Sequence, residues 1–161
     1  MRIDFSDCLN PPGTPLVARR CYFSTRQNAW SVDRDVDQPF AGRRLLILED
    51  ELLIALELQH IVEQLGGTVL GPAGSVEGAL QLLSETPPDA ALLDVNLRGN
   101  RVTPVAQACR DRSIPFALVT GYGRLELEEP LLQSAPRVLK PFDRRAIHKV
   151  LASVLRGDRA A

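Results

Sequence analysis

Four short apolar runs in this chain each stop on polar residues, and that pattern restricts the fold more than any other feature. Leu45-Leu46-Ile47-Leu48 stops on Glu49-Asp50-Glu51, and Ala90-Ala91-Leu92-Leu93 stops on Asp94. Phe116-Ala117-Leu118-Val119 stops on Thr120-Gly121, and Val138-Leu139 on Lys140-Pro141-Phe142. Uninterrupted apolar runs of this length read as strands buried on both faces, the kind found in parallel sheets covered by helices. In such a sheet the strand ends meet at one rim, which is where open α/β sheets place their chemistry.

Helical signals fill the gaps between the runs. Over roughly 51–65, Ile54, Leu58, Ile61 and Leu65 make a stripe at helical spacing, and Gly66-Gly67 supplies the stop. A second, shorter strand is expected at 68–70. Ser75 can cap a helix that turns Val76, Ala79, Leu80 and Leu83 inward and ends before Pro87-Pro88. A third helix is expected near 102–112. Between the last two strands Pro130 and Pro136 act as breakers, so a fourth helix should be short or irregular. The final helix, near 144–155, has Asp143 as its cap and Ile147, Val150, Leu151, Val154 and Leu155 on its inner face. The expected architecture is an α/β (βα)5 sandwich with a doubly wound parallel five-stranded sheet.

Composition changes near Ala41-Gly42. Residues 1–41 hold Pro11-Pro12-Gly13, Pro15 and Pro39 and no sustained period. They read as a poorly ordered extension, with a mis-called translation start as a second explanation. Residues 42–156 form the expected domain and 157–161 a tail. A formal net charge of -1 gives no electrostatic case for nucleic acid or an anionic membrane. Cys8, Cys21 and Cys109 lack metal-ligand spacing and read as reduced thiols. With neither a signal peptide nor a membrane-spanning run legible, the expected location is cytoplasmic.

The polar residues at the rim suit metal-assisted phosphoryl transfer. A carboxylate attacks a phosphoryl group poorly because both are anionic, and a divalent cation between them removes the repulsion. Glu49, Asp50 and Asp94 can supply carboxylates to Mg²⁺, with the backbone carbonyl of Asn96 as a further oxygen. Lys140 and the Thr120 hydroxyl can each meet a phosphoryl oxygen. Taken singly, Asp50 and Glu51 also read as first-turn acids of the following helix, Thr120-Gly121 as a turn and Lys140-Pro141 as a loop. Asp94 resists such a reading, because an unpaired carboxylate after a buried strand costs roughly 1–3 kcal/mol or more.

Leu48-Glu49-Asp50-Glu51, Leu92-Leu93-Asp94-Val95-Asn96-Leu97, Val119-Thr120-Gly121 and Leu139-Lys140-Pro141-Phe142 together resemble the motifs of two-component receiver domains. The resemblance covers nearly all of 43–155. It implies a flavodoxin-like fold in which Asp94 accepts phosphate from a sensor histidine kinase or a histidine phosphotransfer protein. Glu49 and Asp50 match the acidic pair that holds Mg²⁺ with Asp94 and the Asn96 carbonyl. Thr120 and Lys140 match the pair that couples phosphorylation to a shift in shape. Pro115-Phe116-Ala117-Leu118-Val119-Thr120-Gly121-Tyr122 further resembles the Pro-Phe-x-Phe-Ala-Thr-Gly-Tyr signature of stand-alone alphaproteobacterial receivers. That subgroup is linked to general stress signalling through kinases of the HWE or related type.

Two departures accompany the resemblance. Receivers usually carry an aromatic switch residue three positions before the lysine, where this chain has Arg137. Tyr122 is a candidate to take over part of that role, or else a surface tyrosine at the lip of the site. The stretch from Asp94 to Thr120 and the fourth-helix region are also shorter than usual, which trims the face receivers use for output. Leu52, Leu53 and Leu56 lie off the buried stripe of the first helix. They form a candidate docking patch for the phosphodonor, or a surface covered by packing or by the N-terminal extension. His60 and His148 read as solvated.

The expectation is a stand-alone response regulator, not an enzyme beyond its own phosphorylation and dephosphorylation, that signals to a downstream protein. With only 156–161 after Leu155, no output domain is expected. One alternative is a haloacid-dehalogenase-like phosphatase, whose nucleophile precedes a second Asp by two positions. Here the acid pair comes first and Asn96 stands two beyond Asp94. The other alternative is a receiver-fold adaptor that works without phosphorylation.

Overall fold

The apolar runs become the sheet. In the computed structural model, which describes residues 38–99, 101–121 and 129–157, the strands are β1 Arg44–Leu48, β2 Thr68–Ala73, β3 Ala90–Asp94, β4 Phe116–Thr120 and β5 Arg137–Leu139. They pair in parallel in the order β2-β1-β3-β4-β5. Among the described residues the helices are α1 Leu52–Gln64, α2 Val76–Glu85, α3 Thr103–Asp111, α4 Pro130–Gln133 and α5 Arg144–Leu155. This is the doubly wound, flavodoxin-like arrangement, with its topological switch between β1 and β3.

Alternate residues of each strand feed opposite faces. Leu45, Ile47, Leu92 and Val119 pack with Leu58, Ile61 and Val62 of α1 and with Ile147, Val150, Leu151 and Val154 of α5. Leu46, Leu48, Leu93 and Leu118 pack with Ala79 and Leu83 of α2, Val105 and Cys109 of α3, and Leu132 of α4. Full burial of a leucine or isoleucine contributes roughly 1.5–3 kcal/mol, so the strand leucines and the helix faces packed on them together supply the core energy. The caps form as the sequence suggests. Ser75 Oγ accepts from Gly78 N–H at 3.1 Å, and Asp143 Oδ1 accepts from Ala146 N–H at 2.8 Å, each worth about 1 kcal/mol. The proline-flanked fourth helix is a single four-residue turn.

Two features differ from the sequence reading. Strand β2 runs on through Gly71-Pro72 to Ala73 rather than stopping at Leu70. Gly71 takes φ +103, and the register slips between Leu46 and Leu48, so Leu48 pairs with Ala73 across a bulge. Phe40 is buried, and its N–H donates to Leu65 O at 2.9 Å, so the packed unit begins before Gly42. His148 is exposed, as read from the sequence, and its ring lies 5.6 Å from that of Phe40. The remainder of the expected 1–41 extension (through 37), with Cys8 and Cys21, lies outside the described residues, as do Tyr122, the start of the fourth-helix region and the last residues of the tail.

Candidate functional site

Ladder bonds that continue past the strand ends fix the rim. Glu49 N–H donates to Ala73 O at 2.9 Å, Val95 N–H to Val119 O at 3.1 Å, and Lys140 N–H to Thr120 O at 2.7 Å. Asp94 is in register with Val119, and Thr120 with Leu139. Glu49, Asp94, Thr120 and Lys140 therefore leave neighbouring strands at one level, although 91 positions separate Glu49 from Lys140 in the chain.

Lys140 joins two buried carboxylates. Its Nζ donates to Glu49 Oε2 at 2.6 Å and to Asp94 Oδ2 at 3.0 Å. The remaining oxygens accept backbone bonds, Glu49 Oε1 from Glu51 N–H and Asp94 Oδ1 from Asn96 N–H, both at 3.2 Å. Burial pushes the Glu49 carboxyl above its ordinary range, against the pull of Lys140. For Lys140, burial disfavours the ammonium, but the hydrogen bonds to Glu49 and Asp94 outweigh it and its pKa is raised. Two carboxylates hold the ammonium and keep Lys140 charged. Lys140 is here the partner of the acids, where the sequence suggested only a partner for a phosphoryl oxygen.

Asp50 is differently placed. Its Oδ2 accepts from Arg98 Nε at 2.8 Å, while Oδ1 is buried with no hydrogen-bond partner. A buried acceptor left unsatisfied costs roughly 1–3 kcal/mol, and this oxygen is suited to an electropositive partner. Oxygens of Glu49, Asp50 and Asp94 all lie within 4.8 Å of one another. Three hard oxygen donors, one of them orphaned, fit a divalent cation such as Mg²⁺. The capping interpretation of the acids fares less well, since Glu51 occupies the N-cap of α1 without a side-chain cap bond.

Other candidates fall around this centre. Thr120 is buried at the end of β4. Asn96 contributes its N–H to Asp94. Arg137 Nη2 donates to Gln133 O at 2.8 Å, which turns its side chain to the end of α4. Leu52, Leu53 and Leu56 are exposed, Leu53 by 81 %, so among the described residues packing does not cover them. Sequence reasoning missed Arg98. The available signal was Arg98-Gly99 shortly after Asp94, a pair that adopts φ +45 and φ +88 and folds the loop back on the acids.

No family model matches the chain. It is 30% identical over 111 residues to the sensory transduction protein LytT of Bacillus cereus, covering 67% of this chain and 45% of that protein. The chain thus spans about half the length of the curated relatives it matches. The solution structure of SdrG from Sphingomonas melonis Fr1 is 41% identical with a TM-score of 0.63, covering 70% of this chain and 96% of SdrG. The response regulator PhyR from Brucella abortus is 28% identical with a TM-score of 0.65, covering 80% of this chain and 54% of that one. No helix among the described residues is long and apolar enough to cross a membrane.

Proposed function

The chain belongs to the response-regulator receiver family, and from that premise we propose that it is a phosphorylation-controlled signalling protein whose phosphoacceptor is Asp94. The observation that carries the proposal is the convergence of Glu49, Asp50, Asp94 and Lys140 at one rim, with an orphaned oxygen on Asp50. Bound there, Mg²⁺ would neutralise the charge between carboxylate and phosphoryl oxygens. Asp94 presents a carboxylate whose direction is fixed by Asn96 N–H and Lys140. Its Oδ2 would bond to phosphorus as the donor's phosphorus–nitrogen or phosphorus–oxygen bond breaks, and the electron pair leaves with the donor group. Lys140 then exchanges a carboxylate contact for a phosphoryl oxygen, and Thr120 offers its hydroxyl to another.

The donor in this reading is a sensor histidine kinase or a histidine phosphotransfer protein, and Leu52, Leu53 and Leu56 are where it would sit. The output is a change in affinity for a downstream protein. Arg137, in place of the usual aromatic, makes its contact with α4 rather than with the acids, and α4 is a short turn. This supports a mode of reporting other than the usual threonine–aromatic rearrangement, with Tyr122 as a second candidate in it.

Incubation of the full chain with acetyl phosphate and Mg²⁺ tests the reading by intact mass. One phosphoryl group is expected on the wild type and none on Asp94→Asn. Persistent labelling of Asp94→Asn, or an unlabelled wild type with every donor tried, would overturn it. Leu53→Ser should leave acetyl phosphate labelling unchanged and slow transfer from a histidine donor.

A further inference from the structure

Arg98 holds one acid of the candidate cation site by the oxygen opposite the orphaned one. Its Nε donates to Asp50 Oδ2 at 2.8 Å and its Nη2 to the Asp50 backbone carbonyl at 3.4 Å. The guanidinium therefore grips the one acid of the trio that Lys140 does not reach. Yet the arginine side chain is 78 % exposed, against 9 % for Asp50. Such a pair holds its partner loosely, because solvent competes for the guanidinium. The backbone adds to this looseness. Arg98 has φ +45, in the left-handed region that costs a side-chain-bearing residue on the order of 1–2 kcal/mol.

Charge makes the exchange balanced. Three carboxylates against Lys140 and Arg98 leave the site with one excess negative charge. Replacing the Arg98 guanidinium with a divalent ion leaves it neutral. Keeping both would make it positive, and like charges at this range repel.

We propose that Arg98 is a displaceable latch: it occupies Asp50 while no cation is bound, a divalent cation expels it, and its release couples metal occupancy to the loop between β3 and α3. The proposal rests on the assignment of Glu49, Asp50 and Asp94 as the cation site. It gives this chain a moving element next to Asp94 that does not depend on the aromatic missing at position 137.

Calorimetric titration of the full chain with MgCl₂ tests it directly. Arg98→Gln keeps a long polar side chain and the same left-handed backbone demand while removing the charge. Arg101→Ala removes a charge from the same loop without touching Asp50, since Arg101 lies 3.7 Å from Glu129 instead. Arg98→Gln is expected to bind Mg²⁺ about two- to fivefold more tightly than wild type, the range that corresponds to an exposed ion pair, and Arg101→Ala to match wild type. Backbone amide signals of Val95 to Gly99 should move on Mg²⁺ addition in the wild type and move less in Arg98→Gln. Equal affinity in Arg98→Gln and wild type, or an equal gain in Arg101→Ala, overturns the latch and leaves the metal site standing. Failure of all three proteins to bind Mg²⁺ overturns the metal site and the latch with it.

Discussion

The two ion pairs at the rim involve the same acid cluster but differ in almost every physical respect. Lys140 is only 16 % exposed and lies between two carboxylates that are essentially sealed from water. Arg98 is mostly in solvent and holds one carboxylate that keeps an unsatisfied oxygen. The first arrangement cannot lose a member without leaving a buried charge, and that is costly. The second can come apart at little expense, because water receives the guanidinium. In the proposed function the inner pair would set the position of the Asp94 carboxylate, and the outer pair would be the part free to respond to what binds.

The largest expected effect follows from breaking the inner pair. Lys140→Met should destabilise the protein by about 3–5 kcal/mol at neutral pH, measured by urea unfolding. The loss should ease as pH falls. Burial already raises the Glu49 pKa above its ordinary value, and a carboxyl with a raised folded-state pKa is stabilised by protonation as pH drops through it. A loss below 1 kcal/mol at neutral pH would show that the inner pair is no more structural than the outer one. Double-mutant cycles sharpen the contrast. Glu49 with Lys140 should couple by more than 1.5 kcal/mol or so, whereas Asp50 with Arg98 should fall within about 0–1 kcal/mol.

Asp50→Asn separates stability from binding at the outer pair. It loses the exposed ion pair with Arg98 but also removes one of three clustered negative charges, so the unfolding free energy should stay within about 0.5 kcal/mol of wild type. Mg²⁺ affinity measured by calorimetry should fall at least tenfold, since a hard cation loses a charged donor. Unchanged Mg²⁺ affinity would remove Asp50 from the cation site.

The same contrast explains what could be read from the sequence. β1, β3 and β4 were legible because each is buried on both faces and therefore written as an unbroken apolar run. The helix caps at Ser75 and Asp143 were legible because a cap is made within three or four residues. The tail of β2 was not, because Gly71-Pro72 reads as punctuation until the bulge against Leu46 and Leu48 is seen. Phe40 was hidden in a proline-bearing stretch whose composition resembles the extension before it. At the site, the residue types at the strand ends announced themselves. The pairing of Lys140 with Glu49 did not, because it spans the whole sheet, and Arg98 was invisible because its role depends on a left-handed turn.

A third ion pair, at the opposite end of the sheet, should give the smallest effect and sets the scale for the outer one. Asp89, just before β3, accepts from Arg44 N–H at 2.8 Å and from Arg43 Nη1 at 3.2 Å, tying the start of β1 to the start of β3. The backbone bond from Arg44, helped by Arg43, holds its carboxyl below the ordinary value of 3.8. A carboxyl depressed in the folded state adds stability in full above its unfolded pKa and loses it as pH falls through the folded one. Asp89→Asn should therefore be slightly less stable than wild type at pH 7, with the two thermal-melting curves converging below about pH 4. Since Arg43 is exposed and Asp89 half-buried, added salt should narrow the pH 7 difference as well. If Asp50→Asn shows a similar small, salt-sensitive change while Lys140→Met does not, exposure rather than the number of charges is what divides the inner pair from the outer one.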